Sequence, residues 1–294
     1  MDALYIITAG SLVAITCGLL GCFLILRKMA MVGDAISHAV LPGIVLAFLI
    51  SGSRDSVVML LGAGVIGILT TVLIEFFHKK GNLQADASIG VTFTWLFALG
   101  VILISVFANE VDLDQDCVLH GEIAYVPLDL WITDSGVILG PRVLYVSGFV
   151  FLVIIGFIVL GYKELYLTTF DPAFATAIGV STVLWHYLLM AAVSLTTVAS
   201  FESVGAILVV ALLIAPPATA YMLTNSFPKM LVVTALLGVI VSAAGYYLAV
   251  LLDGSIAGAM STVAGLLFLI AFLFSPSEGI VSIAIRRKLA KPNA

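Results

Sequence analysis

The stretch Lys28-Met-Ala-Met-Val-Gly-Asp-Ala-Ile-Ser-His-Ala-Val-Leu-Pro-Gly43 lies in a chain that is 62% apolar. It places Asp34 and His38 four residues apart, with Pro42 another four on. On a helix such spacing puts the two ionisable side chains on one face, with the proline one turn further along. A charge-bearing pair inside an apolar run is expensive in lipid, where little solvates it. Two readings stand open from spacing alone: a mutual hydrogen bond that neutralises two buried groups, or a ligand site facing a pore.

Working outward, the chain has 294 residues and only 10% charged residues, with a mean hydropathy of +1.25. A soluble domain of this length needs a polar surface, and this composition cannot supply one. The apolar runs are about twenty residues long without period-2 alternation, which predicts helices rather than barrel strands. The expected class is an all-α polytopic membrane protein with eight or nine transmembrane helices. No basic, aromatic-interleaved patch points to nucleic acid. Three cysteines, two of them (Cys17 and Cys22) inside the first apolar run, do not make a disulfide framework. The first run begins Met1-Asp2 and is followed by Arg27 and Lys28, the opposite polarity to a secretory signal, so it is expected to be a mature span.

The candidate spans are 4–26, 31–50, 57–77, 87–107, 143–161, 183–201, 204–223, 230–252 and 257–275. With an outward N-terminus, ten of the twelve basic residues fall on the cytoplasmic side, leaving only Arg54 and Arg142 outside. Pro216-Pro217 leaves open a broken or re-entrant seventh run, which would lower the count to eight. Residues 1–294 are read as one transmembrane domain. It has an extracytoplasmic segment at 108–142, a cytoplasmic segment at 163–180 and a cytoplasmic tail at 280–294.

The outer segment carries seven of the chain's seventeen acidic residues, among them Asp112 and Asp114, together with His120. It reads as a solvated loop, or as an entrance that raises the local cation concentration. Its Asp-x-Asp-x-Asp start lacks the glycine and glutamate of an EF-hand loop. Its moderately apolar middle is expected to dip partly toward the membrane. In the inner segment, Asp171 before Pro172 predicts a capped helix start, and Gly179 its stop about two turns later. Such a short helix is available to a soluble partner.

Ligand counting sharpens the Asp34/His38 question. One carboxylate and one imidazole cannot fill the four to six positions of a first-row divalent metal, whereas a two-fold dimer brings two of each. This donor set suits Mn²⁺, Fe²⁺ or Zn²⁺ better than Cu⁺. Glu202, at the outer end of the sixth span, is interfacial or pathway-lining. Glu75 and His78 are expected to snorkel, and His186 to be a satisfied interfacial histidine. Gly254 and Gly258, and the set Gly62, Gly64 and Gly67, offer small faces for helix packing. No phosphate-binding loop of the GxxxxGK[ST] type and no catalytic triad pattern is present. The chain is therefore expected not to be an enzyme, and ATP use would need another chain.

Three motifs, Gly33-Asp-Ala-Ile-Ser-His-Ala-Val-Leu-Pro-Gly43, Phe170-Asp-Pro-Ala-Phe-Ala-Thr-Ala-Ile-Gly179 and Val204-Gly-Ala-Ile-Leu-Val-Val-Ala-Leu-Leu-Ile-Ala-Pro-Pro-Ala-Thr-Ala220, occur in this order. The chain in this respect resembles the permease subunits of bacterial manganese, zinc and iron ABC importers, the ABC-3 family, with a type II importer-like fold. The resemblance covers nearly the whole chain. It implies a multi-pass bacterial plasma-membrane channel with a second permease copy, identical or related, a cytoplasmic ATPase dimer and an extracytoplasmic metal-binding receptor. It implies that Asp34 and His38 coordinate the transported metal, with Mn²⁺ foremost, and that no cofactor is permanently bound. Phe170, Asp171, Pro172, Ala177 and Gly179 would belong to the region that meets the ATPase. Glu202 looks like the manganese-leaning branch, and His120 stands where many members have an aromatic residue. Two alternatives predict different behaviour. A proton- or sodium-coupled transporter with Asp34 as carrier would need no ATPase. A permease for a larger metal chelate would want a wide, uncharged pore.

Overall fold

The computed structural model describes residues 2–52, 56–107, 123–132, 138–275, 279–280 and 282. It is helical apart from one small hairpin. Among the described residues, nine helices or helix pairs are long and apolar enough to cross a membrane. They match the nine runs read from the sequence to within a few residues. Many large apolar side chains on these helices are exposed, including Ile50, Leu160 and Leu251 at 80% or more. In water such a surface would be unmanageable, and in lipid it is the contact face.

The chain divides into two compact units. The first comprises Met1–Ile25, Glu122–Tyr145 and Ile207–Ala294. It contains α1 (Asp2–Leu26), a 3₁₀ turn (Ile123–Tyr125) and the antiparallel strands β1 (Leu130–Ile132) and β2 (Ile138–Pro141). The helices we number α10 (Ala206–Leu223), α11 (Phe227–Leu252) and α12 (Ile256–Phe274) complete it. Pro216 and Pro217 do not break α10, which runs through both. Pro217 cannot donate to the carbonyl of Leu213. That carbonyl lies against Gly21 of α1, so close that a Cβ there would sit 2.0 Å from it. Cys22 Sγ meets Thr234 Oγ1 of α11 at 3.2 Å.

In the outer segment, the described part forms the turn and hairpin rather than a helix. Its apolar residues Ile123 and Val126 are buried, Ile123 over Gly10 of α1. Trp131 packs edge-on against Tyr145 at 5.4 Å. Residues 108–122, with Asp112, Asp114 and His120, and the tail beyond 282 lie outside the described residues.

The second unit comprises Leu26–Gly121 and Val146–Ala206. Its helices are α2 (Val32–Ala39), α3 (Leu41–Ser51), α4 (Ser56–Lys80) and α5 (Ala85–Phe107), followed by α6 (Arg142–Leu160, which begins in the first unit). The short α7 (Tyr162–Phe170) and α8 (Pro172–Ala177) lead into α9 (Thr182–Val204). The second span, read from the sequence as one run, is thus two helices joined at Val40. Pro42 has no N–H for the carbonyl of His38, and the ladder shifts: Gly43 N–H donates to Val40 O at 2.9 Å. Helix α3 packs on α4 with no side chain between Gly43 and Gly62, where a Cβ on either glycine would lie 2.5 Å from the other's carbonyl oxygen. The neighbouring Gly64 faces open space, as does Gly254, and Gly258 meets only its own helix cap at Ser255. The 254–258 motif therefore makes no close helix contact among the described residues.

Candidate metal site

Helix α2 has eight residues, and six of them are buried: Val32, Gly33, Ala35, Ile36, Ser37 and Ala39. The helix is hemmed in by α4, α5 and α9 of the same unit. The two residues left open are Asp34 and His38, with side chains 31% and 47% exposed. Four-residue spacing puts them side by side, and His38 Nε2 lies 3.6 Å from Asp34 Oδ1. That is beyond hydrogen-bond range. The pair is thus not spent on a mutual hydrogen bond.

The imidazole is held from behind by α5. Phe93 lies 5.7 Å from it, centroid to centroid, and Phe97 meets it edge-on at 6.1 Å. Sequence reading missed this cradle; the signal available was the four-residue spacing of the two phenylalanines. Among the described residues no third histidine, cysteine or carboxylate joins the pair. Glu202 falls in the last turn of α9, and its side chain is outside the described set. Asp34 and His38 are therefore brought together, while the other candidate ligands, Glu202, Asp112, Asp114 and His120, have no side chain among those described.

The inner segment folds as its residues dictate. The Asp171 carboxylate accepts the Phe174 N–H at 2.9 Å, Pro172 occupies the first turn of α8, and Gly179 closes the segment with φ +87°. A left-handed φ of that kind favours glycine. Ala175 turns inward and is buried, while Phe170, Phe174 and Ile178 are about half exposed, at 49%, 52% and 52%. The stacked rings of Tyr162 and Tyr166, with Phe170 tilted against Tyr166, continue this aromatic edge along α7.

Residues whose partners come from other segments lie just beneath. Arg27 donates from Nε to Thr169 Oγ1 at 3.1 Å and from Nη2 to Thr168 Oγ1 at 2.9 Å, tying the segment that leads into α2 to α7. Burial holds Arg27 down to about 10, so it stays charged at neutral pH. Glu75 does not snorkel: its side chain is only 10% exposed, and it pairs with Lys79 one turn on. His186 is not satisfied as expected. Its Nε2 is buried with no hydrogen bond among the described residues, 3.8 Å from Glu75 Oε2.

Nine helices or helix pairs of spanning length among the described residues, with an ionisable pair left open on one of them, define a polytopic membrane protein. Comparison with known proteins places it further. The sequence profile of the ABC 3 transport family matches residues 3–275. The chain is 48% identical over 282 residues to the manganese transport system membrane protein MntD of Bacillus subtilis, covering 96% of this chain and 95% of that one. It is 45% identical over 269 residues to the zinc transport system membrane protein TroD of Treponema pallidum, covering 92% and 73%. The structure of PsaBC from Streptococcus pneumoniae in complex with Fab matches with a TM-score of 0.76 at 33% identity, over 95% of this chain and 94% of that one. The chain belongs to the ABC 3 transport family. It is a multi-pass permease of the bacterial cell membrane, a transport component and not an enzyme.

Proposed function

We propose that this chain is the channel subunit of an ATP-driven importer of a divalent transition metal, Mn²⁺ foremost, with Zn²⁺ and Fe²⁺ of the same chemistry. Relatives named for manganese and for zinc transport support the substrate class. The single observation that carries the site is the open Asp34/His38 pair on an otherwise buried helix. Their 3.6 Å separation subtends about 120° at an ion about 2.1 Å from each atom, so one ion binds both after small rotations. Two donors leave the ion half-coordinated. The second permease copy supplies the matching pair across a two-fold axis, giving Asp₂His₂.

Binding must be firm enough to strip part of the hydration shell and weak enough to release the ion. A receptor outside delivers the metal, and the ATPase dimer docks on the exposed edge Phe170–Phe174–Ile178 on the basic, cytoplasmic side. Nucleotide turnover then presents the site to each side alternately.

The test is uptake of Mn²⁺ and Zn²⁺ by the reconstituted complex with and without ATP. Uptake requires ATP and persists with an uncoupler. Asp34→Ala and His38→Ala, made singly, abolish it while the complex still assembles. Full uptake by Asp34→Ala would sink the site assignment.

A further inference from the structure

The second unit holds a cavity of about 570 Å³ whose chemistry the transport site does not use. Its lining brings together Arg27 and Lys28 from the turn after α1, Glu75, His78 and Lys79 from the last turns of α4, and His186 from α9. Pro172, the first residue of α8, borders it. Glu75 is the one carboxylate here, and Lys79 neutralises it. Arg27 and Lys28 have no carboxylate partner among the described residues.

Arg27 is the more telling of the two. Its two hydroxyl partners, Thr168 and Thr169, are uncharged and use two of its five N–H donors. The guanidinium plane is thus fixed with three donors left and its charge uncompensated, beside a space large enough for a ligand. Lys28 adopts φ 58°, a left-handed conformation that glycine or asparagine takes more readily. His186 adds a buried Nε2 that has no hydrogen bond among the described residues.

Two unmatched positive charges reject a metal ion and call for an anion. We propose that this cavity is a binding site for a phosphate group. Arg27 presents a fork of donors to two of its oxygens, while Lys28 supplies a mobile point charge and His186 a further contact. The cavity exceeds the volume of phosphate alone, so a substituted phosphate fits. The cavity lies at the ends of the spans, and an anionic phospholipid and a free phosphate share this chemistry.

Two probes separate those sources. The purified permease complex in a neutral detergent is titrated with short-chain phosphatidylglycerol or with inorganic phosphate, and binding is read by native mass spectrometry and by the shift in thermal unfolding. We expect at least one probe to bind and stabilise the protein. Arg27→Gln weakens that probe about 10-fold or more, and Lys28→Gln weakens it less. Lys229→Gln, which is not a lining residue, leaves it unchanged. Binding of phosphatidylglycerol alone assigns a lipid, and equal binding of inorganic phosphate assigns a free anion. Arg27→Gln also loses its threonine bonds, so Lys28→Gln, with an exposed side chain, carries the test if that variant fails to fold. The proposal is overturned if neither probe binds, or if the folded variants bind both as the unaltered protein does. Asp34→Ala should bind the probe normally, which separates this site from the transport site.

Discussion

Replacing Gly43 by alanine tests both the packing of the second span and the geometry of the transport site. The new Cβ would stand 2.5 Å from Gly62 O and 2.9 Å from the Gly62 carbonyl carbon. Ordinary contact begins near 3.4 Å, so α3 and α4 must part by somewhat under about 1 Å, and neither obstacle is a flexible side chain. Overpacking of this kind costs about 1–3 kcal/mol. Alanine also favours the helix by about 0.5–1 kcal/mol over glycine, which masks part of the loss. Gly64→Ala on the facing helix α4 removes that ambiguity. It gains the same propensity and meets nothing within 4 Å. The difference between the two variants is then the clash itself, about 1–3 kcal/mol. At about 2–4 °C per kcal/mol, Gly43→Ala should melt roughly 2–12 °C below Gly64→Ala in a detergent thermal scan. Because α3 can pivot at Val40 while α2 stays clamped, His38 keeps its place, and uptake by the folded protein should persist in both variants. Equal melting temperatures would refute the close approach of α3 and α4.

Three further outcomes follow from the site and its neighbours. Asp171→Ala removes the cap that accepts the Phe174 N–H, at a cost of about 1 kcal/mol on a six-residue helix. The ratio of metal moved to ATP hydrolysed should drop, and Asp171→Ser should retain most of it. Phe174→Ser acts on a side chain 52% exposed, so co-purification of the ATPase should weaken while the melting temperature stays within about 1 °C. An unchanged yield of complex would move the docking edge elsewhere. Phe97→Ala removes the edge contact that steadies His38, worth about 0.5–1.5 kcal/mol. Metal affinity measured by calorimetry should fall about 2- to 10-fold, and an unchanged affinity would show that Phe93 alone orients the ring.

The spans were legible because lipid imposes a simple demand: each must be a long apolar helix that satisfies its own backbone. Even their ends read well where a residue caps or starts a helix, as Asp171 and Pro172 do. Other ends shifted. Helix α11 starts at Phe227, not at 230, because Pro228 is tolerated in a first turn and Lys229 sits at the helix end without breaking it. Hydropathy is blind to backbone donors, so it could not see that Pro42 splits the second span or that α10 absorbs two prolines. The pairing of Asp34 with His38 was local and therefore readable. The phenylalanines behind His38, the partners of Arg27 and the burial of Glu75 come from other helices, and spacing within one segment carries no trace of them. The same holds for glycines: Gly62 and Gly64 look alike in sequence, and only the neighbouring helix distinguishes them.

Pro42 has a mechanical consequence. Bending a helix normally strains or breaks the bonds that bridge the bend, but between residues 38 and 42 there is no such bond to lose. The joint at Val40 is therefore the soft point of the second span, and α3 can pivot there while α2 stays clamped. The same substitution of proline for a donor leaves the His38 main-chain oxygen, two residues before the pivot, without its helical claim. A hinge placed just past the ligands lets a span swing without dragging the ligands with it.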